Sequence, residues 1–351
     1  MPNTADKSSH RLKRLMRLLK GSKSLLVVMQ DNPDPDAIAA AAALRELANA
    51  AGVTCSIAHG GNVGRGENRA LVKYLGVNLR PLSPTGAKKY DRIALVDTQP
   101  GAGNNSLPAE IVPDIVIDHH PMRSATRRAH FFDVRSRYGA ASSILWEYLC
   151  RAGIVPSAPL ATALLYGIRS DTQDLGRASC QADAQAIGQL YELANNRMLG
   201  HIQMGEVSPN YFQAMWDALH NARLYGRCIV SDLGRVYNAD MMAEMADLLL
   251  RHEASDWTLS LGAVDGLLFF SVRTDTPAGR ADLVARQIAG SRGAGGGHPE
   301  SGGGRIPLAS DSDDYRRREA RAATRRFLRA VGQNNNSRGV PLVSEANKER
   351  S

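Results

Sequence analysis

The sequence predicts an α/β protein: a doubly wound, mainly parallel sheet, with a second, smaller α/β domain across a cleft. Three observations predict it. Short apolar runs alternate with helical stretches through the first two hundred residues, the pattern of parallel strands joined by crossover helices. The runs "RIALVD" and "DIVID" are apolar nearly throughout, as strands covered on both faces must be. A polar helical segment at 180–222 then gives way to a second set of strands and helices.

Taken in order, "HRLKRLMRLLK" (10–20) carries Leu12, Leu15, Met16 and Leu19 at helical spacing, which leaves its cations on the opposite face. Strands are expected at 24–30, 53–58, 92–97 and 114–117, and helices near 37–51, 67–75, 139–152 and 157–168. In the second half "CIVSD", "WTLSLGAV" and "LLFFSVRT" read as strands, and 239–252 and 280–290 as helices. The run "GAGGGH" (293–298) reads as a loop, too rich in glycine for a packed strand or helix. The resulting domains are 1–195, a helical linker at 196–222, a second domain at 223–330, and a polar tail at 331–351 expected to be disordered.

Composition narrows the function classes. The chain is 43% hydrophobic and 22% charged, and no apolar run approaches the ~20 residues of a membrane span. The basic N-terminal stretch lacks a continuous apolar core, so no signal peptide is expected. Cys55, Cys150, Cys180 and Cys228 lie far apart with no C-x-x-C pair, which argues against zinc fingers and a disulfide framework and fits the cytoplasm. A formal charge of +8, concentrated in 10–20 and in "YRRREARAATRRFLRA" (315–330), points either to solvated helix faces or to an electrostatic guide for nucleotides or phosphates. Neither a dinucleotide fingerprint nor a phosphate-binding G-x-x-x-x-G-K-[ST] loop is present.

The acids are less ordinary. Asp34 and Asp36 in "NPDPDAIA" follow the first strand, Asp97 closes "RIALVD", and Asp118 with His119 and His120 closes "DIVIDHH". In a parallel sheet all of these emerge at the carboxyl ends of strands, where open α/β folds bind ligands. Asp171 in "GIRSDTQDL" can reach the same edge. One such aspartate alone is most often a cap or turn residue. Several carboxylates gathered together repel one another unless a cation neutralises them, and an oxygen-rich set with imidazoles suits Mn2+ or Mg2+. Asp34 and Asp36, two residues apart in an extended segment stiffened by Pro33 and Pro35, are expected to face the same way about 6.6 Å apart and to serve one ion each of a pair.

Together "NPDPDAIA", "LVDT", "DHH" and "GIRSDT" resemble the four motifs of the DHH phosphoesterase superfamily. "FFSVRT" followed by "GAGGGHPESGGG" resembles the Gly-Gly-Gly-His signature of the C-terminal domain associated with it. The resemblance implies a hydrolase of phosphate esters or anhydrides with two ions, usually Mn2+, with Mg2+ or Co2+ as alternatives, and a metal-bound hydroxide as nucleophile. Carried over, Asp34 binds the first ion, Asp36 the second, Asp97 bridges both, and His119 and Asp171 complete the second ion's ligands. Asp118 orients a ligand, and His120 meets the substrate phosphate or leaving group. Arg273, Gly296, Gly297 and His298 become the substrate-binding candidates, and Arg65 or Arg69 in the 59–72 loop are weighed against a plain connecting turn. Three departures stand out: Gln30 where many members have a metal-binding histidine, Pro35 in place of a glycine, and "PESGGG" in place of small apolar residues. Asp31, beside Gln30, would have to change direction to substitute for that histidine.

The expected activity is hydrolysis of short oligonucleotides or small nucleotide phosphates. An aromatic content of 5% argues against a long stacking groove for single strands. The alternatives are an inorganic polyphosphatase or pyrophosphatase, and a nucleotide-binding regulatory protein inactivated through Gln30. A homodimer is an assembly this reading allows, and no membrane partner is expected.

Overall fold

In the computed structural model, which describes residues 4–333 and 338–343, one compact unit ends at Glu206 and a second begins at Val207. The first runs α1 (Thr4–Lys20), β1 (Ser24–Val28), α2 (Pro35–Ala50), β2 (Thr54–His59), α3 (Gly66–Leu75), β3 (Leu79–Pro81), α4 (Pro84–Ala87), β4 (Arg92–Val96), β5 (Ile115–Asp118), a 3-10 turn (Ser124–Arg128), β6 (Phe131–Val134), α5 (Ala141–Arg151), α6 (Ala158–Thr172), α7 (Gln181–Leu193) and α8 (Asn196–Gln203). Its six strands are all parallel and lie in the order β3-β2-β1-β4-β5-β6, so the chain reverses its direction of travel between β1 and β4.

The strands are apolar throughout because each face has its own core. Leu25 and Val27 of β1, Ala94 and Val96 of β4, and Ile115 and Ile117 of β5 pack beneath the long helices. The alternate residues Leu26, Val28, Ile93, Leu95 and Val116 face a smaller core closed by Ala87 of α4 and by loop residues such as Leu107 and Ile111. The double winding is therefore lopsided: nearly all the helical mass lies on one face. In α1, Leu12, Leu15 and Leu19 are buried in the main core, and its basic residues take the outer side.

The second unit comprises α9 (Pro209–Asn221), β7 (Arg223–Tyr225), β8 (Cys228–Arg235), α10 (Asp240–Leu250), β9 (Trp257–Val264), β10 (Leu267–Thr274), α11 (Ala281–Ala289), β11 (Ala294–Gly297), β12 (Ser301–Pro307), α12 (Asp313–Ala330) and β13 (Val340–Pro341). Its mixed sheet has the order β11-β12-β10-β9-β8-β7-β13, with β8 and β9 parallel and the other pairs antiparallel. Of the tail, Val340 and Pro341 pair with β7 at the sheet edge, and the expectation of disorder for 334–337 and 344–351 falls outside the described residues.

The glycine run corrects the sequence reading. "GAGGGH" is no loop: Ala294–Gly297 form β11, paired with β12 in a hairpin whose turn holds His298. The glycines are there because α11 lies almost on the strand backbone. A Cβ on Gly302 would stand 2.3 Å from the Ala281 carbonyl oxygen, and one on Gly295 2.5 Å from that of Ala285. Gly302→Val is accordingly expected to destabilise the second unit by about 3 kcal/mol, the upper range for overpacking. Gly296→Ala, which would meet nothing within 4 Å, should change stability by less than about 0.5 kcal/mol. Urea denaturation of the two variants checks the contrast.

Candidate active site

Three strand ends and the close of one helix supply the site. Asp34 and Asp36 follow β1, Asp97 follows β4, and Asp118 ends β5, so the acids line the carboxyl edge of the sheet where β1 and β4 diverge. That crevice is where open α/β sheets leave room for a ligand.

The first pair does not lie in an extended segment, as the spacing had implied. Asp34 is the N-cap of α2, accepting a hydrogen bond from the Ala37 amide (2.9 Å), and Pro35 is already helical. Asp36, in the first turn of α2, is buried, and its two oxygens accept the amides of Ala141 (2.7 Å) and Ser142 (2.8 Å) at the start of α5. The helix N-terminus thus fixes the carboxylate and stabilises its charge, with lone pairs left for a cation.

Asp171 lies in the last turn of α6, and a glycine brings it in. Gly167, one turn earlier on the same face, approaches the start of α2 so closely that a Cβ would sit 3.1 Å from the Asp36 Cα and 2.9 Å from the Ser142 hydroxyl. Donor atoms of Asp36, His119 and Asp171 lie within 4.8 Å of one another, as do those of Asp97, Asp118, His119 and His120. His119 belongs to both groups and stands between them.

The tautomer of His119 follows from its partners. Nδ1 lies 3.2 Å from the Tyr138 carbonyl, which can only accept, so Nδ1 carries a proton. Nε2 is then the lone-pair nitrogen, and it points at carboxylate oxygens of Asp171 (3.0 Å) and Asp97 (3.3 Å). Both Nε2 and the Asp97 Oδ1 are buried without a hydrogen-bond partner. Lone pairs aimed at one another in a buried place call for a proton or a cation between them.

The protonation balance makes the same demand. Burial, followed by the charge of Asp34, holds Asp97 well above the usual carboxylate range. Burial and the nearby Asp171 raise Asp34, and push Asp36 up to about 7. His119 is opposed by burial, yet the carboxylates of Asp171 and Asp97 beside it raise it well above an ordinary imidazole. The donor set therefore fits a divalent cation, which would replace those protons. Asp36, Asp97, His119 and Asp171 are the residues gathered to hold one.

Two predicted residues take supporting positions. One Asp118 oxygen accepts the His120 ring Nδ1 (2.9 Å) and the His119 amide (2.8 Å), and the other accepts the Gln99 side-chain amide (2.6 Å). Burial works against the Asp118 charge, but the hydrogen bond and charge of His120, the charge of His119 and the Gln99 hydrogen bond together outweigh it, and the carboxyl lies below its usual range. His120 is raised to about 9 against burial by Asp118 and Asp97. Gln30 donates its side-chain N–H to Asp34 (2.7 Å), so its amide, not its carbonyl, meets the acid. Asp34 belongs to neither group of close donor atoms among the described residues. The Asp31 carboxylate packs against Gly60 and likewise belongs to neither group among the described residues.

Sequence reasoning missed three contributors. Gln99 ties Asp118 to the Thr126 hydroxyl and the Arg123 amide, and stood only two positions beyond Asp97. The Ala141 and Ser142 amides left no side-chain signal. The Tyr138 carbonyl is fixed through a buried network: the Tyr138 hydroxyl donates to Glu147 (2.5 Å), and Arg135 bonds Tyr138, Glu147 and Asp133. Asp133 also accepts Arg11 of α1 (2.7 Å) and the Tyr148 hydroxyl (2.5 Å).

The remaining candidates lie elsewhere. Arg69 donates to the Gly64 carbonyl and, at 2.9 Å, to that of Glu206, a tie between loop and chain, while Arg65 lies 3.7 Å from Glu67. In the second unit the Arg273 guanidinium is held by Asp247 (2.5 Å) and the Ser271 hydroxyl (2.7 Å), and His298 is exposed at the β11–β12 turn with Gly296 and Gly297 before it. No helix among the described residues is long and apolar enough to cross a membrane.

Comparison with known proteins adds three findings. The N-terminal domain of the DHH family matches residues 24–168. An uncharacterized protein of Methanocaldococcus jannaschii is 35% identical over 332 residues, 91% of this chain and 67% of that protein. The crystal structure of an exopolyphosphatase-related protein from Bacteroides fragilis superposes with a TM-score of 0.71 at 15% identity, over 90% of this chain and 95% of that one, a likeness of fold.

Proposed function

Because the chain belongs to the DHH family, we propose that it is a divalent-cation-dependent phosphoesterase that hydrolyses short oligonucleotides or small nucleotide phosphates. The observation that carries the reading is the convergence of Asp36, Asp97 and Asp171 on His119, whose ring nitrogen and the Asp97 oxygen 3.3 Å from it are buried without a hydrogen-bond partner. Mn2+ is the favoured ion, with Asp34 as the ligand of a second one, reached when the Gln30 amide turns away. Bound there, the ions would neutralise phosphate charge and lower the pKa of bound water.

The chain's own residues do the rest. The Tyr138 carbonyl and the carboxylates of Asp171 and Asp97 set the position of His119, whose Nδ1 proton is donated to Tyr138. Asp118 holds His120 in its protonated form near neutral pH, ready to hydrogen-bond a phosphate oxygen or protonate the leaving oxygen. Its side chain is 33% exposed, against 10% for His119, which supports a role in meeting substrate. Arg273 and His298 remain candidates for gripping phosphate, and Arg273 would first have to release Asp247.

The two histidines should respond differently to substitution. His119→Ala is expected to weaken Mn2+ binding more than tenfold by calorimetry, because an aimed lone pair is lost. His120→Ala should bind Mn2+ almost normally and lose about a hundredfold in kcat, the usual scale for general acid–base help. Equal metal affinities would overturn the division.

Substrate choice is tested with Mn2+ against a dinucleotide, an abasic phosphodiester and tripolyphosphate. The dinucleotide should be cleaved at least about tenfold faster. Comparable rates on all three would remove the nucleotide reading and leave generic phosphate-chain hydrolysis.

A further inference from the structure

The last helix of the second unit carries a charged feature unrelated to the acids. Along α12, Arg317, Arg321 and Arg325 recur every fourth residue with Arg318 beside them, and all four are exposed. They line a surface depression of about 390 Å3 together with Asp314, which pairs with Arg317 at 2.9 Å. The other carboxylates of the helix are engaged elsewhere. Glu319 is buried against Arg292, and Asp313 pairs with Arg235. Arg316 is turned inward to Asp232. That leaves Arg321 and Arg325 without an ion pair among the described residues.

Like charges one turn apart on a helix repel, and a helix that needs only solubility intersperses the two signs. This stripe keeps its cations unbalanced in one row, an arrangement that suits a polyanion laid along the axis. We propose that this face of α12 binds the phosphate backbone of single-stranded nucleic acid.

The spacing favours nucleic acid over polyphosphate. Arginines four residues apart stand about 6 Å apart along the axis. A sugar separates successive phosphates on that scale in an extended strand, whereas a single bridging oxygen separates them in polyphosphate. Guanidinium planes also stack on base faces, which polyphosphate lacks. The proposal goes beyond the hydrolytic reading and needs neither metal nor turnover.

The test is fluorescence anisotropy of the full chain with a labelled single strand of about twelve nucleotides, in EDTA, over a range of salt. Cleavage is then silent, so failure here is separate from failure of the proposed activity. Arg321→Ala/Arg325→Ala is expected to bind about tenfold more weakly at low salt. Its slope of log K against log salt should be shallower by about 1.4, at roughly 0.7 for each phosphate that is no longer neutralised. Arg321→Lys/Arg325→Lys should keep the wild-type slope. Lys88→Ala/Lys89→Ala, which removes the same charge from exposed positions of the first unit, should leave it unchanged. The proposal is overturned by an unaltered slope in the arginine-to-alanine variant, by an equal change in the lysine variant, or by polyphosphate competing as well as the unlabelled strand at equal charge.

Discussion

Asp97→Asn is expected to cut turnover by about a thousandfold or more while leaving the chain folded. The amide keeps the size and shape of the side chain and removes its charge, and asparagine tolerates the left-handed backbone that Asp97 adopts (φ 57°). What is lost is the anionic oxygen that lies 3.3 Å from the His119 ring nitrogen and 3.7 Å from that of His120. Charge fixed at such a point contributes several kcal/mol to catalysis.

Stability should move the other way. At neutral pH a carboxylate raised by burial and by Asp34 is strained toward protonation, and that contribution against folding grows as pH rises from the ordinary carboxylate range toward its raised value. Without metal, the variant should therefore melt no lower than the wild type at pH 7. With Mn2+ at a hundredfold excess over its dissociation constant, the wild type should gain about 2.7 kcal/mol and the variant much less. Substantial turnover by the folded variant in excess metal would sink the assignment.

Arg135→Leu is expected to destabilise the first unit by about 3–5 kcal/mol, the cost of leaving buried charge unpaired. Asp133 is fully buried, and Arg135 bonds both of its oxygens while also reaching Glu147 and the Tyr138 hydroxyl. Arg11 stays with Asp133 in the variant, but its side chain is 39% exposed and compensates weakly. Arg137→Leu, at an exposed position two residues on, serves as control and should shift stability by less than about 0.5 kcal/mol. A loss below about 1 kcal/mol for Arg135→Leu, from urea denaturation of both proteins, would show that the network is not what holds β6 to α5.

The sheet of the first unit was legible because covered strands must be apolar, and β1, β4 and β5 say so in nearly every residue. The edge strands were not. β3 is three residues, Leu79–Pro81, with Arg80 and Pro81 exposed, and β6 places Phe132 outward and Asp133 inward, a pattern that makes sense only once Arg135 and Arg11 are in place. Residue types announced the acids, but their directions came from partners distant in sequence. Asp34 and Asp36 look alike in "NPDPDA", yet one caps α2 and the other reaches α5. Glycines misled most. Those of β11 and β12 look like slack until α11 is seen pressing on them, and Gly167 looks incidental until α6 crosses the start of α2. In each case the missing information was the approach of another backbone, which no local pattern encodes.

The hydrogen bonds that fix Asp36 have a consequence in time. Its partners Ala141 and Ser142 lie 105 and 106 residues further along the chain. A ribosome adding about 5–20 residues per second reaches them roughly 5–20 s after Asp36 has been made. Through that interval the nascent chain displays the first acids without the amides that aim them, without His119 for most of it and without Asp171 throughout. An unfinished chain thus lacks the gathered donor set, so the proposed capture of ions and hydrolysis of phosphate esters would begin only when the last helix of the site, α6, has been synthesised and docked.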